Sequence, residues 1–259
     1  MTLLNIPLPQ LQIGFLIFLR VTAILMTVPF LSSKNIPLLF KVGLAISVSF
    51  ILFPLLTLSD IPFVYDTIPF CMGVASEIGL GIVIGLSVRL LFAAIQLAGQ
   101  LEGFQMGFAL VNVMDPITSS QASIVSQFKN FVAMLIFLAI NAHHWFLRAI
   151  ADSFQLVPPF GVRFNSTLME YLIRLAGNMF IIAIKVGAPV IVALLLTSVA
   201  FGLIARAVPQ MNVFIVAFPV KIIIGLGFLA ISLPYLLSFL RQLFGNLGNE
   251  ILLILRAMT

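Results

Sequence analysis

Residues 171–205 form a stretch of 35 in which only Arg174 and Lys185 are charged. As one α-helix rising 1.5 Å per residue, that stretch would be about 52 Å long, whereas the hydrocarbon core of a bilayer is about 30 Å thick. It is too apolar to be exposed by a soluble domain and too long for a simple perpendicular span. Pro189 lies in its middle, and the next apolar run, 213–240, holds Pro219, Lys221 and Pro234. An interior proline removes a helical hydrogen bond and crowds the preceding turn, so both runs are expected to be bent or broken. Lipid tolerates this only where protein or water satisfies the freed backbone groups.

Four earlier apolar runs can be read between turn signals, at 11–31, 38–58, 70–98 and 128–146. Charged residues make up 8% of the chain, against roughly a quarter in an ordinary soluble domain, so a fold in water could not be covered. The expectation is an all-α, multi-pass integral membrane protein built of long, broken helical hairpins. The opening MTLLNIPLPQLQIG lacks the basic leader and short cleavable core of a secretory signal, so the first run is expected to be retained as a helix. The 13 basic residues are scattered singly, which argues against nucleic acid as a partner. Alternating the loops places Lys34, Lys41, Arg89, Lys129, Arg206 and Lys221 on one side and Arg148, Arg163, Arg174, Arg241 and Arg256 on the other. So even a division sets no orientation. The lone Cys71 allows no intrachain disulfide and no cysteine metal site, and reads as a small buried hydrophobe.

Arg20, Glu77, Arg89, Lys185 and Lys221 interrupt apolar runs. An ionised group at the bilayer centre costs about 2.5–3.5 kcal/mol on insertion scales, so each needs a partner, water or a route to the interface. Lys41 can reach the interface from its helix end; Arg20 and Lys185 lie too deep for that. Pairing within the chain is one reading. Glu77 is the single acid among these five, however, and the surplus of bases favours acids on other chains or a wet interior. Gly81 with Gly85, and Gly99, Gly103 and Gly107, repeat every four residues and permit close backbone approach, within the chain or between chains.

The longest polar interval is 99–127, and inside it the segment FQMGFALVNVMDP (104–116) combines Met and Phe with glycine and a turn-forming Asp-Pro. Two readings stand: irregular backbone closing an aqueous constriction with deformable side chains, or an amphipathic connector lying at the membrane surface. Zinc-protease helices, phosphate-binding glycine loops and nucleophile elbows are missing from the sequence. Adjacent His143 and His144 point about 100° apart on a helix and cannot chelate one metal. No enzyme, cofactor or metal site is expected.

Four motifs in register carry a family resemblance. They are GFQMGFALVNVMDP (103–116); Glu77-Ile-Gly-Leu-Gly81 with the later Gln100; Asn141-Ala-His-His-Trp145; and Arg206-Ala-Val-Pro-Gln-Met-Asn-Val-Phe214 followed by Phe218-Pro-Val-Lys221. Over essentially its whole length the chain resembles the flagellar biosynthetic protein FliR family. The resemblance implies a non-enzymatic subunit of the flagellar type III protein export gate, in the bacterial inner membrane at the flagellar basal body. It would assemble with FliP-like and FliQ-like subunits, and with FlhB-like and FlhA-like export components, around a conduit for unfolded protein substrates. Residues 1–165 resemble the FliP-like part and 166–259 the FliQ-like hairpin part. The family's plug loop maps onto 103–119, with Met106, Phe108, Leu110, Val111, Val113, Met114 and Asp115 as the residues expected to occupy or support the closure. Arg20, Glu77, Gly81, Gly85, Gly99, Gly103, Lys185, Arg206 and Lys221 are expected to serve subunit packing or interior charge. A virulence-type injection system shares this design and stands as the alternative. A secondary transporter would also suit broken helices and interior lysines, but its halves should show matching hydropathy, which is not seen.

Overall fold

The structure, a computed structural model, describes residues 8–33, 36–55, 64–108, 123–162, 164–210 and 212–258. Among them the regular structure is all helical: α1 (Leu8–Thr27), α2 (Pro29–Ser32), α3 (Leu38–Leu52, ending in a tight turn at Phe53–Leu55), α4 (Thr67–Met106), α5 (Ile124–Ala139), α6 (Ala142–Leu156), α7 (Ser166–Ala207), α8 (Val213–Gly245) and α9 (Leu247–Ala257). Four described stretches are long and apolar enough to cross a membrane: α1, α4, α7 and Ile215–Ala257. The α5–α6 pair would make a fifth if it is one broken span.

The over-length helices are present, and of the two expected outcomes, bent or broken, neither run is broken at its prolines. The α7 helix runs for 42 residues through Pro189, and α8 for 33 residues through Pro219 and Pro234. A proline deletes one hydrogen bond and crowds one turn, which a long helix absorbs as a local bend while its other bonds persist. The chain instead breaks inside the run read at 128–146, where Asn141 adopts a left-handed φ of 57° between α5 and α6. Asparagine is among the few residues that visit this region routinely. The run read at 70–98 continues as helix to Met106, so Gln100, Glu102, Phe104 and Gln105 are helical, not irregular. Leu, Gln, Glu and Met favour helix and no proline intervenes, while Gly99 and Gly103, poor helix formers, are held in it by their close packing on α5. Cys71, expected inside, is exposed.

Two compact units are woven from the chain: residues 1–90, 141–175 and 246–259 form the first, and 91–140 with 176–245 the second. In the first, α1 buries Leu16, Ile17, Val21 and Ile24, and α4 buries Leu80, Ile84 and Val88. These positions recur at the three-to-four-residue spacing of a helix face. The α9 helix buries Leu247, Ile251, Ile254 and Leu255, and the Tyr171 hydroxyl donates to the Glu250 carboxylate. The second unit is centred on Phe92, Phe137 and Phe244, whose ring centroids lie 5.3 to 5.8 Å apart. Such aromatic contacts add about 0.5–1.5 kcal/mol each beyond area burial.

Candidate functional site

In the first unit, Arg20 and Glu77 form a buried ion pair. The Arg20 Nε–H donates to Glu77 Oε2 at 2.5 Å and Nη2 to Oε1 at 3.0 Å, the parallel two-bond geometry that makes arginine–carboxylate pairs strong. Nη1 donates to the carbonyls of Ser153 (3.0 Å) and Val157 (2.9 Å), and the Phe154 ring centroid lies 4.1 Å from the guanidinium carbon. The Ser153 carbonyl also accepts from the Val157 N–H at 2.9 Å, and the end of α6 carries the negative end of its dipole, so a cation there is favoured. Glycines make the approach possible. A Cβ at Gly81 would lie 2.5 Å from that of Ala23 and 3.0 Å from the Arg20 carbonyl, and one at Gly85 would collide with Thr27. The α4 backbone therefore rests directly on α1.

The second unit holds another buried pair, Glu102 with Lys129, which joins the end of α4 to α5 through Glu102 Oε1. Its surroundings form a ladder. Ser126 Oγ donates to the Gln96 carbonyl (2.9 Å) and Gln96 Nε2 to Asn130 Oδ1 (3.1 Å). A Cβ at Gly99 would lie 2.5 Å from Ser126 Cα, and one at Gly103 would meet the Ser123 side chain. Ser123 itself caps α5, accepting from the Val125 N–H at 3.3 Å. Among the described residues, Glu102 Oε2 and Gln105 Oε1 are buried without a hydrogen-bond partner. Glu77 is thus not the only interior acid: Glu102 lies in the interval 99–127 read as the chain's longest polar one, and Lys129, counted among the loop charges, is its buried partner. The signal available was spacing. Gln96, Gly99 and Gly103, then Ser123, Ser126 and Asn130, each mark one helix face at three- and four-residue steps.

The α4 helix ends in a glycine cap. The Gly107 N–H donates to the Phe104 carbonyl and the Phe108 N–H to that of Gly103, both at 3.0 Å, with Gly107 at φ +94°. This pairing satisfies two of the last helical carbonyls and needs a residue tolerant of positive φ. Met106 is fully buried with Val125, Val190 and Leu194, seated over Gly225, while the partly buried Phe108 packs on the same cluster. The remaining expected plug residues, Leu110, Val111, Val113, Met114 and Asp115, lie outside the described residues. Arg89, Lys185 and Arg206 are exposed and Lys221 is half-buried; none forms an ion pair among the described residues. The described residues contain no cluster of His, Cys, Asp and Glu able to hold a metal.

Apolar helices long enough to span a bilayer, with charged side chains paired inside, define an all-α integral membrane protein. Residues 11–247 match the family described as bacterial export proteins, family 1. The chain is similar to the flagellar biosynthetic protein FliR of Bacillus subtilis (strain 168), 33% identical over 235 residues, covering 88% of this chain and 89% of that protein. It is likewise similar to the FliR proteins of Escherichia coli (strain K12), 30% identical with 92% and 91% covered, and of Pectobacterium carotovorum, 32% identical with 88% and 87% covered. The chain belongs to the FliR family of bacterial export proteins.

Proposed function

We propose that this chain is a subunit of the flagellar type III protein export gate in the bacterial inner membrane, forming part of the conduit for unfolded flagellar substrates and of its plug. The observation that carries the reading is the family match across residues 11–247. The flagellar names of the relatives favour a flagellar over an injection system. FliP-like and FliQ-like subunits are the partners, with 1–165 as the FliP-like part and 166–259 as the FliQ-like part, and FlhB-like and FlhA-like components complete the apparatus. Exposed apolar side chains on α7 and α8, among them Leu196, Leu203, Ile223 and Ile231, suit burial against such subunits. Closure is steric and apolar, with no covalent chemistry.

Extraction from membranes tests this. The chain is expected in a stoichiometric complex with FliP-like and FliQ-like subunits, and a lone chain that catalyses small-solute uptake in liposomes would overturn the reading. Deleting 109–119, which leaves the packed residues Gly103, Met106 and Phe108 in place, is expected to make the membrane leaky to ions while the complex still assembles. A tight membrane after that deletion removes the plug assignment. Lys185 is exposed and outside any described ion pair, so Lys185→Glu is expected to abolish co-purification of partner subunits. Undiminished co-purification would show that this lysine faces no partner acid.

A further inference from the structure

The two buried ion pairs are built differently. Arg20 and Glu77 share two bonds, and the guanidinium's remaining side is taken up by two carbonyls and a ring. Glu102 and Lys129 share one contact, while among the described residues Glu102 Oε2 and, one helical turn on, Gln105 Oε1 meet no donor. A fully satisfied buried network rigidifies its surroundings, and leaving a buried polar atom unpaired is costly. By its bonds the first pair is the firmer of the two, and the second has less to lose on separation.

Its place matters. Glu102 lies one turn before the glycine cap of α4, and Lys129 lies in the second turn of α5. Gly99 brings the α4 backbone onto that of α5 and Gly103 receives the Ser123 side chain, so parting the helix ends here separates Glu102 from Lys129. Met106, between the pair and the cap, is seated over Gly225, so a shift at the end of α4 also unseats Met106 from α8.

We infer that Glu102 and Lys129 are positioning residues of the gate, a releasable latch that holds the end of α4 against α5 at rest and gives way as a polypeptide passes. The inference rests on the export-gate reading. It differs from structural support in what an apolar replacement does. Exchanging a buried ion pair for apolar residues of similar size is often neutral or stabilising, so a merely structural pair can be replaced without harm. A latch so replaced holds but no longer releases.

The test uses cells lacking their own copy of the gene and supplied with the full chain. Glu102→Met with Lys129→Met is expected to assemble in wild-type amount while secretion of flagellar subunits falls about tenfold, the resting arrangement being favoured by that factor. The charge-exchanged variant, Glu102→Lys with Lys129→Glu, is expected to regain secretion to within about threefold of wild type, because the breakable contact is restored. Wild-type secretion by the double-methionine variant overturns the latch. So does assembly without secretion by the charge-exchanged variant, and so does failure of both variants to assemble, which would make the pair a structural support. If the wild-type chain itself restores no secretion, the export-gate reading falls and takes the latch with it; if it does restore secretion, the variants judge the latch alone.

Discussion

Arg20→Ala is expected to leave almost no chain in the membrane. Arg20 and Glu77 are both fully buried, so removing the arginine strands a carboxylate that no other described cation reaches. Breaking a buried pair in this way costs about 3–5 kcal/mol. Natural domains are stable by only about 5–15 kcal/mol in total. The Val157 carbonyl at the end of α6 loses its donor at the same time, and the Ser153 carbonyl keeps only its bond from the Val157 N–H. Arg20→Lys keeps the charge but cannot supply the two-bond fork, and should accumulate to an intermediate level. Removing both charges with Arg20→Met and Glu77→Met should recover part of the loss and no more, because α6 still lacks its donor. Immunoblots of membrane fractions give the amounts, and unfolding midpoints in detergent rank the variants. Wild-type accumulation of Arg20→Ala would mean that the pair contributes nothing to the fold.

The membrane class was legible in the length and purity of the apolar runs, because hydrocarbon sets a length that such runs must meet or exceed. Partner identity was not legible in the same way. Arg20 and Glu77 are 57 residues apart, and hydropathy along a chain does not say which helix face meets which. Glu102 was hidden by its neighbours Gln100, Gln105 and Asn112, which merged a helix end into one long polar interval. Prolines left two outcomes open: Pro189, Pro219 and Pro234 allow a bend or a break, and each removes only one bond from helices of 42 and 33 residues, which run on through them. The break at Asn141 left only the short polar group Asn-Ala-His-His as its trace. Met106 shows the limit most clearly. Composition treats it as one more deformable side chain near a constriction, whereas the glycine that receives it, Gly225, lies 119 residues away. The glycine repeats were the better guide, since Gly81, Gly85, Gly99 and Gly103 each mark a place where another element comes close.

Those glycines also separate packing from propensity. Gly99→Ala puts a methyl group 2.5 Å from Ser126 Cα and 2.8 Å from the Ser126 backbone nitrogen, where no flexible side chain can yield. The α4 and α5 helices must part, which costs on the order of 1–3 kcal/mol as overpacking. The same movement stretches the Ser126–Gln96 bond and the Glu102–Lys129 contact. Gly103→Ala meets the Ser123 side chain instead, whose Oγ can rotate away at the expense of its cap on α5 while its Cβ, 2.7 Å off, yields only with the chain at the start of α5, so its effect should be somewhat smaller. Gly177→Ala, within α7, has nothing within 4 Å to strike and replaces the poorest helix former but proline with the best, a gain of up to about 1 kcal/mol. Unfolding midpoints of the detergent-solubilised chain should therefore rank Gly99→Ala lowest, Gly103→Ala next and Gly177→Ala at or above wild type. Intrinsic propensity favours alanine at all three positions, so a uniform rise would mean that the α4–α5 contact is not close in the membrane-extracted protein. A fall confined to Gly99 and Gly103 would locate the tight joint at the end of α4, where the Glu102–Lys129 pair has to hold.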